Sequence, residues 1–148
     1  RLSSEEVAVF QAWAQQGAPA GDLTKAPPPR EFGTGWQLPT APDLVVEMAA
    51  TPFSVPATGE VKYQYFAADP GLKEDTWIRA AEIVPGNRAI VHHVIVFAGV
   101  GGKIQDEDGQ MLTAYVPGYR VIPLKPGYAK RIPAGAKFIF QMHYTPNG

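Results

Sequence analysis

Arg88-Ala89-Ile90-Val91-His92-His93-Val94-Ile95-Val96-Phe97-Ala98 is the most hydrophobic stretch of the sequence, and its reading decides the fold class. Its β-branched residues suit a pleated, half-buried surface. Pro85-Gly86-Asn87 precedes it and Gly99 to Gly102 follows it, so turns bound it on both sides. The same grammar repeats outward from here. Lys137 to Tyr144 is a second long β-prone run. Further strand candidates are Leu44 to Met48, Val61 to Phe66, Trp77 to Val84, Ala114 to Val116, Arg120 to Ile122 and Tyr128 to Ile132. Thr58-Gly59, Pro70-Gly71, Asp108-Gly109, Pro117-Gly118, Pro126-Gly127 and Pro133-Ala134-Gly135 punctuate them. Strands at this spacing predict an all-β fold, an antiparallel β-sandwich of jelly-roll type.

Composition narrows the function classes. The 148 residues suffice for one core. With 45% hydrophobic and 18% charged residues the chain is globular rather than disordered. A net charge of -1 leaves no basic excess to grip nucleic acid or an anionic membrane surface. No apolar run approaches the roughly 18–20 residues of a membrane span. Cysteine is absent, which removes disulfides, thiolate zinc sites, iron–sulfur clusters and cysteine nucleophiles together. Ser54 has no histidine or acid pattern for a triad, and no Gly-rich phosphate loop ending in Lys-Ser or Lys-Thr occurs.

One helix is expected, at the start. Ser3 and Glu6 form a capping box, with Leu2 and Val7 placed for the hydrophobic staple. Val7, Phe10 and Ala14 recur at helical spacing, and Gly17 is a natural stop, which predicts a helix over Glu5 to Gln16. Ala18 to Pro42 contains Pro27-Pro28-Pro29 and reads as a linker with polyproline II character. The organisation expected is therefore a helical segment 1–17, a linker 18–42 and a β-sandwich domain 43–148. The sequence starts at Arg1 without an initiator methionine and ends at Gly148 just after a strand, so it reads as a piece of a longer protein, cut short at its C-terminus.

The chemistry lies in the histidines. His92 and His93 stand inside a wholly apolar run, and His143 stands in Phe138-Ile139-Phe140-Gln141-Met142-His143-Tyr144. Neighbours on a strand point to opposite faces, so at least one of the pair should face the interior. Buried imidazoles need partners for both nitrogens, which makes two of them in an apolar strand expensive unless something uses them. Antiparallel pairing can bring His143 beside them. The expectation is one metal site held by His92, His93 and His143. The donor set is nitrogen only, with no carboxylate on either strand. Imidazole suits zinc, copper, iron and nickel, and copper heads the affinity order. Ligands reaching in from opposite sides of one strand would favour low-coordinate copper, while a three-histidine zinc site stays open as an alternative. Met111 is a candidate minor ligand, and Met142, next to His143, should face away from it. Trp36, Trp77, Tyr63 and Tyr65 are expected in the core, and Asp106-Glu107-Asp108 as a solvated turn rather than a calcium loop.

Val91-His92-His93-Val94-Ile95-Val96-Phe97 and Gln141-Met142-His143-Tyr144 resemble the copper type II, ascorbate-dependent monooxygenases, the family of peptidylglycine α-hydroxylating monooxygenase and dopamine β-monooxygenase. The likeness is nearest to bacterial multidomain members that carry such modules behind a cytochrome c-like segment. Arg79 to Asn87 and Lys130 to Gly135 share it, and it spans about Trp36 to Gly148. The resemblance implies a jelly-roll copper domain in which His92, His93 and His143 hold one copper that stores and delivers an electron. It also implies a small-molecule reductant, a second copper domain as partner and an exported location, the bacterial periplasm or cell surface. The family's second copper uses a His-x-His pair and a methionine. This chain has no His-x-His, so the resemblance reaches only the electron-transfer half of a copper-dependent monooxygenase. Ser3 to Trp13 with Gly17-Ala18-Pro19 is similar to the last helix of a cytochrome c-like domain, although the haem-attaching C-x-x-C-H is missing. Two rival readings are a three-histidine zinc hydrolase or hydratase, and a non-catalytic β-sandwich binding module with structural histidines.

Overall fold

The computed structural model describes residues 1–29, 35–101 and 110–148. It divides into two compact units, Arg1–Phe32 and Gly33–Gly148. In the first unit, α1 spans Ser4–Gln15. Ser3 Oγ accepts from the Glu6 amide at 3.2 Å and the Glu6 carboxylate accepts from the Ser3 amide at 2.8 Å, so the expected capping box closes. Gly17 ends the helix with φ of +81°, a conformation that costs glycine little. Beyond it Asp22 caps a 3-10 turn over Leu23–Lys25, and the Trp13 indole donates to the Pro19 carbonyl. No helix among the described residues is long and apolar enough to cross a membrane.

The second unit is built of antiparallel strands. β1 covers Gln64–Ala68, β2 Thr76–Ile78, β3 Val91–Gly99, β4 Gln110–Tyr115, β5 Lys130–Ile132 and β6 Lys137–Tyr144. Four of them form a sheet in the order β1-β6-β3-β4, and β2 pairs with β5. Among the described residues the fold is thus all-β apart from α1 and the 3-10 turn that follows it. β3 and β6 are the long runs singled out by the sequence, and they lie side by side at the centre of the larger sheet. Leu44–Met48 and Arg120–Ile122 form no ladder, and only the first residues of the Trp77–Val84 candidate do. Propensity measures fit to a pleated surface and cannot supply a partner. β2 stops after Ile78 because β5, its partner, is three residues long.

One face of the large sheet carries the core. Val94 and Val96 of β3, Phe140, Met142 and Tyr144 of β6 and Tyr115 of β4 are buried there, with Phe53 stacked on Tyr144 at 5.3 Å. A second cluster of Ala98, Ile132 and Ala136, covered by Leu72, Ile78 and Phe138, joins the small sheet to the end of the large one. Polar clamps support that junction. Asp75 accepts from the Arg131 guanidinium at 2.7 Å and from the Ala134 amide at 3.0 Å, and Lys137 pairs with Asp69. The Ala134 amide and then Arg131 hold the Asp75 carboxyl below its ordinary 3.8. The aromatic residues expected inside are a correction. Trp36, Trp77, Tyr63 and Tyr65 are all exposed. Tyr65 precedes Phe66 on β1, and since neighbours alternate, burying Phe66 turns Tyr65 to the opposite face. The Asp106-Glu107-Asp108 turn lies outside the described residues.

Two outcomes follow from this packing. Ile132 is fully buried, so Ile132→Ala should cost about 2–5 kcal/mol of stability in urea denaturation. Asp75 has a depressed folded-state pKa, so its contribution is complete above pH 3.8 and fades as pH falls through the lower folded value. The acid-induced drop in the thermal midpoint should therefore be shallower in Asp75→Asn than in the wild type.

Candidate metal centre

The site begins with an irregularity in the β3–β6 ladder. Val91 pairs with Tyr144 and His93 with His143, so β3 spends two residue steps where β6 spends one. His92 is the extra residue of a β-bulge. An unbroken strand would send His92 and His93 to opposite faces. The bulge lets both join the face away from the core, while Val91 and Val94 on either side are buried. The expectation that one of the pair faces the interior is therefore not met: His92 is exposed, and His93 and His143 are half-buried on the outer face.

The three rings meet there. His93 Nδ1 lies 3.2 Å from His92 Nδ1 and 3.3 Å from His143 Nδ1. Ring centroids are 4.8–5.4 Å apart, all in edge-on arrangements. Each residue offers a ring nitrogen, and these atoms all lie within 4.8 Å of one another. A neutral imidazole nitrogen either donates one hydrogen or accepts on one lone pair. His93 Nδ1 therefore cannot satisfy both neighbours at once, and one short N···N approach is always uncompensated. A cation held by all three lone pairs removes that conflict. Nitrogens about 2.0–2.1 Å from one ion at tetrahedral angles sit roughly 3.3 Å apart, which matches both approaches to His93. The residues present fit a metal ion. The bulge puts His92 and His93 on one face with Nδ1 atoms 3.2 Å apart, so they do not reach an ion from opposite sides of the strand as expected.

Burial lowers the His93 pKa below its ordinary 6.5, and the charges that His143 and His92 would carry lower it further. Its lone pair thus stays available at neutral pH. No carboxylate or thiolate joins the cluster among the described residues. Met142 points the other way and is buried in the core, as its position beside His143 requires. Met111 is exposed and pairs with Phe97, four residues along β3 from His93. At about 3.3 Å per residue that is roughly 13 Å away, so the fold does not bring Met111 to the imidazoles.

Tyr63 is the neighbour that sequence reasoning assigned elsewhere. It stands one residue before the β1 ladder, in which Gln64 pairs with Met142, and its ring centroid is 5.0 Å from that of His143 and 5.7 Å from that of His93. The Tyr63-x-Tyr65 alternation was the available signal, since it puts both rings on one face of a strand. Tyr65 receives a hydrogen bond from Gln141 Nε2 at 2.9 Å in the next cross-strand row. Two grooves of the second unit, one between 44–50 and 67–70 and one beside Ile78, Leu112 and Leu124, touch none of the three histidines.

Compared with protein-family models, with characterised proteins and with solved structures, the chain matches none. The site thus stands on its own geometry. It should bind one ion per chain through nitrogen ligands. X-ray absorption on metal-loaded protein should show imidazole scattering without a strong sulfur shell, and His143→Ala should abolish stoichiometric binding. Metal should also raise the thermal midpoint, by about 4 kcal/mol of added stability at a thousandfold excess over Kd.

Proposed function

We propose that this chain is a copper-binding electron-transfer domain, of jelly-roll type, belonging to an exported, ascorbate-using copper monooxygenase. The observation that supports it is the convergence of three Nδ1 atoms, 3.2 and 3.3 Å apart at His93, on the outer face of the sheet. Copper bound there would supply one-electron exchange between its +2 and +1 states. Neutral imidazoles serve both states, and copper heads the affinity order for such ligands.

The residues of the chain divide the remaining work. His93 and His143 are directly opposed on neighbouring strands, so backbone hydrogen bonds fix their spacing before any ion arrives. The buried Val94 and Met142 beneath them tie that spacing to the core. His92 is exposed, where a small-molecule reductant can approach. The two grooves described above, among the described residues, do not touch the histidines. Hydroxylation would belong to a partner domain with its own copper, and a cytochrome c-like domain is the partner suggested for the N-terminal side.

The near-tetrahedral spacing around His93 favours a second reading, a zinc hydrolase or hydratase. Such an enzyme needs a proton-transfer group beside the bound water. No acid lies in the cluster among the described residues, and this favours copper.

Metal analysis of protein purified without added metal, followed by EPR, separates the readings, since Zn²⁺ is EPR-silent. The expected result is a Cu²⁺ signal that ascorbate bleaches and oxygen restores. With ascorbate, oxygen and glycine-extended peptides or phenethylamines, the chain alone should yield no hydroxylated product by mass spectrometry. Turnover that His92→Ala abolishes would overturn the division of labour.

A further inference from the structure

Resting on the metal reading above, we infer that Tyr63 is a positioning residue of the site, holding His93 and His143 in the orientation that aims their Nδ1 atoms at one point. The three rings form a cross-strand row. His93 and His143 face each other in the β3–β6 ladder, and Tyr63 extends the row on the β1 side. Tyr63 lies against both imidazoles, at 5.0 and 5.7 Å between centroids, with its plane tilted by 42° and 51°. These are distances at which aromatic pairs attract and prefer defined tilts.

The need for such a residue follows from the surroundings of the two rings. Backbone pairing fixes the Cα and Cβ atoms of His93 and His143 but leaves each imidazole free to turn about its own side-chain bonds. Among the described residues, the buried core cluster lies on the opposite face of the sheet, so its packing does not lock those torsions. The row below has a lock of its own, where Gln141 is tied to Tyr65 by a hydrogen bond. Tyr63 performs the equivalent task in the histidine row with its ring face. Rotation of either imidazole away from the common point would run into that ring or abandon its contact.

A ring that only filled space would contribute to stability alike with or without metal. A positioning ring makes a different demand: its loss should disorder the ligands and leave the fold intact. Tyr63 is half exposed, so truncating it should lower the thermal midpoint of the metal-free protein little.

The test uses copper ions with the whole chain. Cu⁺ affinity is measured by competition with a colorimetric chelator, and Cu²⁺ geometry by EPR, for wild type, Tyr63→Ala and Tyr63→Phe. Tyr63→Ala should bind roughly tenfold to a hundredfold more weakly, the range seen when outer partners of ligands are removed. Its EPR spectrum should broaden into more than one species. Tyr63→Phe should restore both affinity and spectrum, because the ring face and not the hydroxyl does the positioning. Unchanged affinity and spectrum in Tyr63→Ala would overturn the inference and leave the metal site standing. Equal losses in Tyr63→Phe and Tyr63→Ala would overturn it too, by assigning the role to the hydroxyl. A wild type that binds copper no better than His92→Ala would sink the metal reading and the positioning role together. Should Tyr63→Ala fail to fold, Tyr63→Leu takes its place, since it keeps apolar bulk without a flat face, and the same outcomes apply.

Discussion

The antiparallel pairing of β3 with β6, interrupted at His92, is the constraint on which both the core and the site depend. The ladder runs from Val91–Tyr144 to Gly99–Lys137 and crosses the sheet's centre. On one face it sets Val94 beside Met142, and on the other it sets His93 beside His143. These are consequences of one register. A slip by a single residue would exchange the faces of a whole strand, putting imidazoles into the core and valines into water. The hydrophobic free energy of the core therefore guards the geometry of the histidines, although none of them is itself fully buried.

The bulge adds what a regular ladder cannot. In an unbroken strand only every second residue reaches a given face, so consecutive ligands could not share one. The extra residue at His92 breaks the alternation for one step and lets Val91 and Val94 both stay inside. The result is a cluster in which two ligands are held by backbone pairing and one, His92, lies at the exposed margin. In the electron-transfer function proposed above, the exposed His92 beside the half-buried His93 and His143 would be the point of access for solvent-borne partners. Neither described groove is adjacent to it.

The aromatic residues show how the outer face is finished. Tyr63 and Tyr65 continue two successive cross-strand rows, one against the histidines and one against Gln141. Both remain wet on one side, which is tolerable for tyrosine because its ring is amphipathic. On the core side, the partly buried Phe53 and Phe66 pack with the buried Tyr144 as their counterpart. β1 thereby contributes Phe66 to the core and Tyr65 to the outer face, with Tyr63 extending that outer pattern just before the strand.

The all-β class was legible from Arg88–Ala98 and Lys137–Tyr144, because long apolar, β-branched runs between turn residues have few alternatives. The helix start was legible from Ser3 and Glu6, whose side chains act over three residues and need nothing distant. The identity of the three histidines as one cluster was also legible, since they are the chain's only ones and lie on its two strongest strands. Which face they occupy was not. Alternation placed one of the pair inside, and only the pairing of Val91 with Tyr144 and His93 with His143 reveals the extra residue that moves it out. The same holds for Leu44–Met48, β-prone yet without a partner, and for Tyr63, which hydrophobicity assigned to the core. Local propensity and spacing act within a few residues and were enough for the elements. Pairing register and face are settled by contacts between segments some fifty residues apart, where the best total burial decides, and no single segment carries that information.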